Sequence, residues 1–342
     1  MRRLFTIFAS VALLLSMVSC DSFNTLTTTR KSAQGAPYEV LVVCNGREWE
    51  SALGEELRRL FATPVEMVNQ VEPMYNVIRI TANDFKGVLP AYRNILKVVC
   101  SSDVKDCSIM ARYDVVATPQ VVLTFQGPSV EAMVGYLKEN GASLLQVLEI
   151  AERNRTIEYA RKYGAKELEG IIRTALGVEM RVPKGYMFRA ESEGFVWASH
   201  EYPVASQGFF LYTHPYEGKK SITAESLVKA RNRYAKRIPG PSSGSYMTTV
   251  TRIPNIDNTD YTEIKPEYRV LRINGRDWVE LRGFWDVEND FMGGPFVSYT
   301  TLDKASGKLL TLDCYVYSPK DPKRNYMRAL EHLVYVISFP DK

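Results

Sequence analysis

At 342 residues, with 45% hydrophobic and 24% charged residues, the chain can bury large cores and is long enough for two domains. Its 43 basic residues against 39 acidic ones leave a formal charge of +4, to which Arg2 and Arg3 contribute, so bulk charge gives no reason to expect nucleic acid as a partner. His200, His214 and His332 lie far apart and none has a second His or Cys at metal-ligand spacing, so neither a metal nor a cofactor is expected.

Residues 1–19 read as a secretory signal peptide: a basic start at Arg2 and Arg3, an apolar run from Leu4 to Leu15, then small residues. That run is too short for a permanent bilayer span, which needs about 20 apolar residues. Met17-Val18-Ser19-Cys20 resembles the lipobox of bacterial lipoproteins, with Met17 where Leu is usual. This implies lipid attachment at Cys20, palmitate among the acyl chains, and a membrane as partner through them. Residues 20–37 are polar and without period, which predicts a lipidated flexible stalk. No acidic run follows Cys20, and the body is therefore expected to face the periplasm of the cell envelope.

Residues 38–177 read as an N-terminal α/β domain ending in a helical bridge. Tyr38 to Cys44 is a continuous apolar run, the mark of a strand buried on both faces. Asn45 follows as a candidate helix cap with Glu48 as the third residue of a capping box, and Trp49, Leu53, Leu57, Leu60 and Phe61 then recur at helical spacing. The runs at 77–81, 94–99 and 120–125 supply further strands. Cys100 and Cys107 flank a polar excursion, which predicts a hairpin closed by a disulfide in an oxidising compartment. Cys44 and Cys314 sit in apolar strand patterns and read as buried thiols. Two apolar helix stripes follow, Val130 to Leu137 and Leu144 to Ala151, and the charged stretch 152–177 reads as a bridge to the second domain.

Residues 178–342 change texture to short strands and turns, with one helix from Thr223 to Lys236 and a closing helix whose Tyr326, Ala329, Leu330, Leu333, Val334 and Ile337 share one face. The pattern is α+β: an N-terminal β-α unit with a mixed sheet and helices, then an antiparallel sheet packed with helices. Within it, "RGFWDVENDFMGGPFVSYT" at 282–300 reads as a hairpin, its Gly-Gly-Pro opening the second strand. The acids Asp286, Glu288 and Asp290 lack the Gly and the bidentate Glu that a calcium loop needs.

The strings "NVIRITANDFKGVLPAYRNIL", "IPGPSSGSYMTT", "RGFWDVENDFMGGPFVSYT" and "YSPKDPKRNYMRALEHL" resemble a family of bacterial envelope lipoproteins catalogued as domain of unknown function 4837, over about 38–338. The resemblance implies an envelope lipoprotein and no particular activity. The element order from 178 onward loosely resembles the PsbP-like α/β sandwich.

Alternation in "WVELRGFWDV" puts Val279, Leu281, Gly283, Trp285 and Val287 on a core face and Glu280, Arg282, Phe284 and Asp286 on the other. In "LLTLDCYVYS" the corresponding polar set is Thr311, Asp313, Tyr315 and Tyr317. The candidate binding surface therefore combines Arg282, Asp286, Asp313, Tyr315 and Tyr317 with Arg324 and Arg328 from the start of the closing helix. Those helix-start cations call for an acid to offset the dipole, with Asp313 and Asp321 the nearest in sequence. The expected function is a non-catalytic binding or structural protein of the envelope that meets a protein or glycan partner. The alternatives are a hydrolase of an envelope polymer using Glu280 with Asp286 or Asp313, and a carrier of an apolar ligand between the domains.

Overall fold

The computed structural model describes residues 30–255 and 260–340. The expected signal peptide and the expected lipid attachment at Cys20 lie outside the described residues. The expected stalk ends earlier than its composition suggests, because Lys31–Ser32 pairs in parallel with Ala117–Thr118 and Gln34 bridges to Tyr92. A polar segment carries as many backbone hydrogen-bonding groups as an apolar one, and an open sheet edge can recruit it.

The N-terminal unit comprises β1 (Glu39–Val43), α1 (Ala52–Phe61), β2 (Asn76–Ile80), β3 (Asn94–Cys100), β4 (Ser108–Tyr113), β5 (Val121–Gly127) and α2 (Val130–Lys162). The sheet order is β2-β1-β3-β5-β4, parallel except for the β4 edge. β1 is central and buried, as its unbroken apolar run predicts. Helices α1 and α2 cover one face through Leu53, Leu57, Phe61, Met133, Leu137, Leu144 and Leu148. The cap of α1 is Ser51, whose Oγ accepts from Leu53 N; Asn45 makes no side-chain cap bond. The two stripes expected as separate helices are one helix, 33 residues long, that runs through Gly141. Leu60 lies so close there that a Cβ on Gly141 would stand 3.0 Å from its Cδ1, so the glycine permits a close approach of α1 to α2 instead of ending the helix.

Cys100 and Cys107 are free thiols, which corrects the expected bridge. They do not close a hairpin, because β5 lies between their strands: Cys100 is level with Gly127, and Ser108 with Gln126. Two strand spacings of about 4.8 Å separate such chains, beyond the roughly 7 Å that a disulfide spans between Cα atoms.

The C-terminal unit begins with α3 (Lys166–Leu176), which packs its Leu168 and Ile172 into the C-terminal core instead of bridging to it. Strands β6 (Met187–Ser192), β7 (Phe195–Glu201) and β8 (Ser206–Pro215) precede α4 (Ala224–Ala235). Then come β9 (Tyr246–Thr249), β10 (Glu267–Ile273), β11 (Arg276–Glu288), β12 (Gly293–Asp303), β13 (Lys308–Tyr317) and α5 (Arg324–Glu331), which continues as a 3-10 turn over His332–Val336. The sheet is antiparallel in the order β9-β11-β12-β13-β8-β7-β6, with β10 also on β11. One face packs against α3, α5 and the 3-10 turn, the other against α4. Both faces are therefore covered, and the N-terminal unit sits against the α5 side through Tyr38, Glu72 and Glu149.

Candidate functional site: a tyrosine-lined cleft between the two units

The residues expected to form one binding surface divide between two buried faces. Arg282 stands opposite Val297, and Val297 opposite Cys314, so Arg282 shares the α5 face with Cys314. Asp313, Tyr315 and Tyr317 take the alternate positions and point to the α4 face. Assigning the polar set of each strand to one common solvent face fails here because neither face is solvated.

On the α4 face Asp313 has no exposed surface and holds the equally buried Arg231 through Nε at 2.9 Å. Burial outweighs this partner and pushes the Asp313 carboxyl up to about 6. The Arg231 guanidinium lies 3.7 Å from the centre of the Phe296 ring. Tyr315 and Tyr317 line a small aromatic pocket of about 300 Å³ with Trp197 and Trp285, and Trp197 Nε1 donates to the Tyr315 hydroxyl at 2.8 Å. Asp286 is exposed near the end of β11.

On the α5 face the arginines are structural. A chain of alternating charges runs from Glu66 through Arg269, Glu280, Arg282, Glu331 and Arg328 to Glu149 of α2. Arg282 grips Glu280 with both Nε and Nη2, at 2.8 and 2.9 Å, and donates to Glu331 through Nη1 at 2.6 Å. Arg324 Nη1 donates to Pro73 O at 2.7 Å. The acid that offsets the cations at the start of α5 is Glu72, which comes from the N-terminal unit: its oxygens accept from Lys323 N at 2.6 Å and Arg324 N at 2.9 Å. The nearest acids in sequence, Asp313 and Asp321, play no such part. Sequence spacing carried no signal of this pairing, because 251 positions separate the partners.

What these contacts leave between the two units is a cleft of about 720 Å³, within the roughly 300–1,000 Å³ of small-molecule sites. Its floor is one stripe of α2: Ala151, Arg155, Glu158, Tyr159 and Lys162. Tyr113, Asp114 and Gln120 edge it from the N-terminal sheet, and Lys184, Tyr186, His200, Tyr202 and Gln207 from the C-terminal one. Arg155 is fixed by Glu152 at 2.9 Å, Asn94 at 2.8 Å and the Arg93 carbonyl at 2.7 Å.

The His200 ring lies over Gly185, where a Cβ would overlap the imidazole and where φ is +108°. Tyr202 stacks on it at 4.3 Å between ring centres and 23° between planes, and Tyr186 meets it edge-on at 5.6 Å. Gln207 Nε2 donates to the Tyr202 hydroxyl at 3.1 Å, and that hydroxyl shares a hydrogen bond with His200 Nδ1 at 3.2 Å. Burial holds His200 below the usual imidazole range, against the pull of Glu201. Gln207 is 5% exposed, and its Oε1 has no partner among the described residues. Arg93 Nε, at the opposite wall, is likewise buried and unpaired. The cleft is therefore walled by aromatic residues, and one unpaired acceptor and one unpaired donor are buried within its lining residues. None of these cleft residues was singled out from the sequence; Tyr202 and His200, two positions apart at the end of an apolar strand, were the available signal.

Two family models match the chain in succession: a domain of unknown function, DUF8532, over residues 33–161, and a domain of unknown function, DUF4837, over residues 165–336. The chain belongs to the DUF4837 family. The resemblance read from the sequence holds over 165–336, whereas the stretch containing "NVIRITANDFKGVLPAYRNIL" matches the other model. No curated protein matches the chain. Among solved structures it is similar to a point mutant of the protein Mog1, at 8% identity over 47% of this chain and 90% of that one with a TM-score of 0.29. The Ran-binding protein Mog1p of Saccharomyces cerevisiae gives 8% identity, 47% and 89% coverage and a TM-score of 0.30. The lipid transfer and protein localization domain of human StarD13 gives 11%, 45%, 85% and 0.21. At such TM-scores these likenesses carry no argument about this chain.

Proposed function

We propose that this protein is a lipoprotein of the bacterial envelope, anchored by acyl chains on Cys20 with its body on the periplasmic side, and that it binds a saccharide in the interdomain cleft without catalysing a reaction. The anchoring rests on the basic and apolar leader and on Met17-Val18-Ser19-Cys20.

The observation that carries the binding reading is Gln207 Oε1, a buried acceptor without a partner at the wall of a cleft faced by Tyr159, Tyr186 and Tyr202. An unpaired buried amide oxygen costs free energy in the empty protein, and a ligand hydroxyl that displaces the atoms covering it would remove that cost. Tyrosine faces carry the negative side of the ring quadrupole, which complements the C–H faces of a sugar.

The hydrolase alternative needs two carboxyl groups facing one cleft. Glu280 is taken up by Arg269 and Arg282, and Asp313 by Arg231 on the opposite face of the sheet; of the carboxyls that edge the cleft, Glu158 is engaged by Arg161 and Asp114 by Arg30 and the Gln120 N–H. The carrier alternative needs an enclosed apolar cavity, whereas this cleft is edged by Lys162, Lys184, Asp114 and Glu158.

The test is calorimetric titration of the full chain with soluble oligosaccharides released from the envelope. Tyr202→Ala and Gln207→Leu should each weaken binding at least about tenfold with the fold retained. Saccharide binding unaffected by both variants would refute the cleft, and undiminished membrane retention of a Cys20→Ser variant would refute the anchor.

A further inference from the structure

One end of the cleft carries two lysines that come from different elements. Lys162 ends α2, and Lys184 is held beside it because its backbone N–H donates to the Tyr163 carbonyl at 2.7 Å. Neither ammonium has a carboxylate within ion-pair distance among the described residues. The nearest acid on the same stripe, Glu158, is engaged by Arg161 at 2.6 Å. Several interior and interface cations of this chain are matched by carboxylates, as in Arg231 with Asp313 and Arg328 with Glu149 and Glu331. The other acid of the cleft, Asp114, lies 4.0 Å from Arg30. Two like charges at one rim, with both acids of the cleft engaged by other cations, raise the local potential and favour an anion there. Deeper in the same cleft Arg93 Nε is a buried donor with no partner, although the guanidinium's Nη2 is bound to Glu152 at 2.7 Å.

We propose that the saccharide of the cleft is acidic: its sugar rings lie against Tyr159, Tyr186 and Tyr202, and a carboxylate on the sugar meets Lys162 and Lys184. This rests on the cleft being a saccharide site. The tyrosines meet the rings and the lysines meet the carboxylate, so neutral and charged parts of the ligand are recognised by different residues.

The experiment titrates the full chain with two acidic sugars, tetragalacturonate and the disaccharide of N-acetylglucosamine and N-acetylmuramic acid, each beside its methyl ester. The ester keeps the rings and removes the charge. The acid of at least one pair should bind roughly five- to tenfold more tightly than its ester at low salt, as expected for a carboxylate meeting two solvent-facing lysines. That preference should shrink as ionic strength rises. In the variant Lys162→Ala/Lys184→Ala acid and ester should bind alike. Equal binding of acid and ester by the native protein would overturn the acidic ligand and leave the saccharide cleft standing. Binding of neither form of either sugar, to native protein or variant, would overturn both.

Discussion

At the scale of single residues, Glu72 shows how a distant side chain completes a local structure. The start of α5 has no side-chain cap of its own, with Lys323 at the N-cap position and Arg324 in the first turn. Both are unfavourable neighbours for the positive end of a helix. The buried Glu72 carboxylate accepts from two of the orphan N–H groups and places a negative charge at the positive end of the helix. Glu72→Ala should therefore lower stability by about 2 kcal/mol, and Glu72→Gln, which keeps an acceptor but not the charge, by about half of that. Urea denaturation midpoints of the three proteins measure this, and a Glu72→Ala midpoint equal to wild type would show that α5 is capped by water. The need for an offsetting acid was legible in "DPKRNYMRAL", but the identity of the acid was not, because it comes from another unit of the chain.

At the scale of elements, the C-terminal sheet is a buried layer, and its buried charged side chains Glu280, Arg282 and Asp313 are accordingly paired. Arg231 of α4 and Asp313 of β13 form a fully buried ion pair, closed by Thr249 Oγ1 accepting from Arg231 Nη1 at 2.8 Å. Removing one partner strands the other in a medium that solvates it poorly. Arg231→Met should cost about 3–5 kcal/mol, and Arg231→Met combined with Asp313→Leu should recover much of that loss. Chemical denaturation of both variants decides it; if the double variant were less stable than the single one, the pair would be contributing more than its own desolvation. The strands themselves were readable by alternation, and so were α4 and the hairpin of 282–300. The assignment of one face to solvent was not, because Asp313 and Arg282 have the composition of an exposed face and are buried only through partners on α4 and α5.

At the scale of the whole molecule, the two units are joined by carboxylates whose ionised form is favoured by folding. Burial would raise Glu331, but Arg282 and Arg328 more than reverse it and bring its carboxyl down to about 2. Glu280 and Glu149 are lowered in the same sense, against burial, by Arg282 and Arg269 and by His332 and Arg328 respectively. A carboxyl whose folded pKa lies below its unfolded value of about 4.3 contributes stability that is fully present above that pH and is lost as pH falls toward 2. Asp313, raised to about 6, has the opposite sign, so its contribution is lost as pH rises through 6 and partly offsets the others between about 4 and 6. The melting temperature should thus change little from pH 7 to 5 and fall steeply below about pH 4. Calorimetry across that range checks it, and a flat profile down to pH 3 would mean that the network adds nothing to folding. By itself the sequence determined the α+β class and most strands and helices, because these depend on periodicity and composition within short windows. Only the tertiary structure decided that Cys100 and Cys107 stand two strands apart, that the arginines of α5 join the two units, and that Tyr202, His200, Gln207 and Lys162 meet across a cleft. Those arrangements depend on elements tens to hundreds of positions apart, and packing, which selects among the faces that periodicity allows, leaves no mark at any one position.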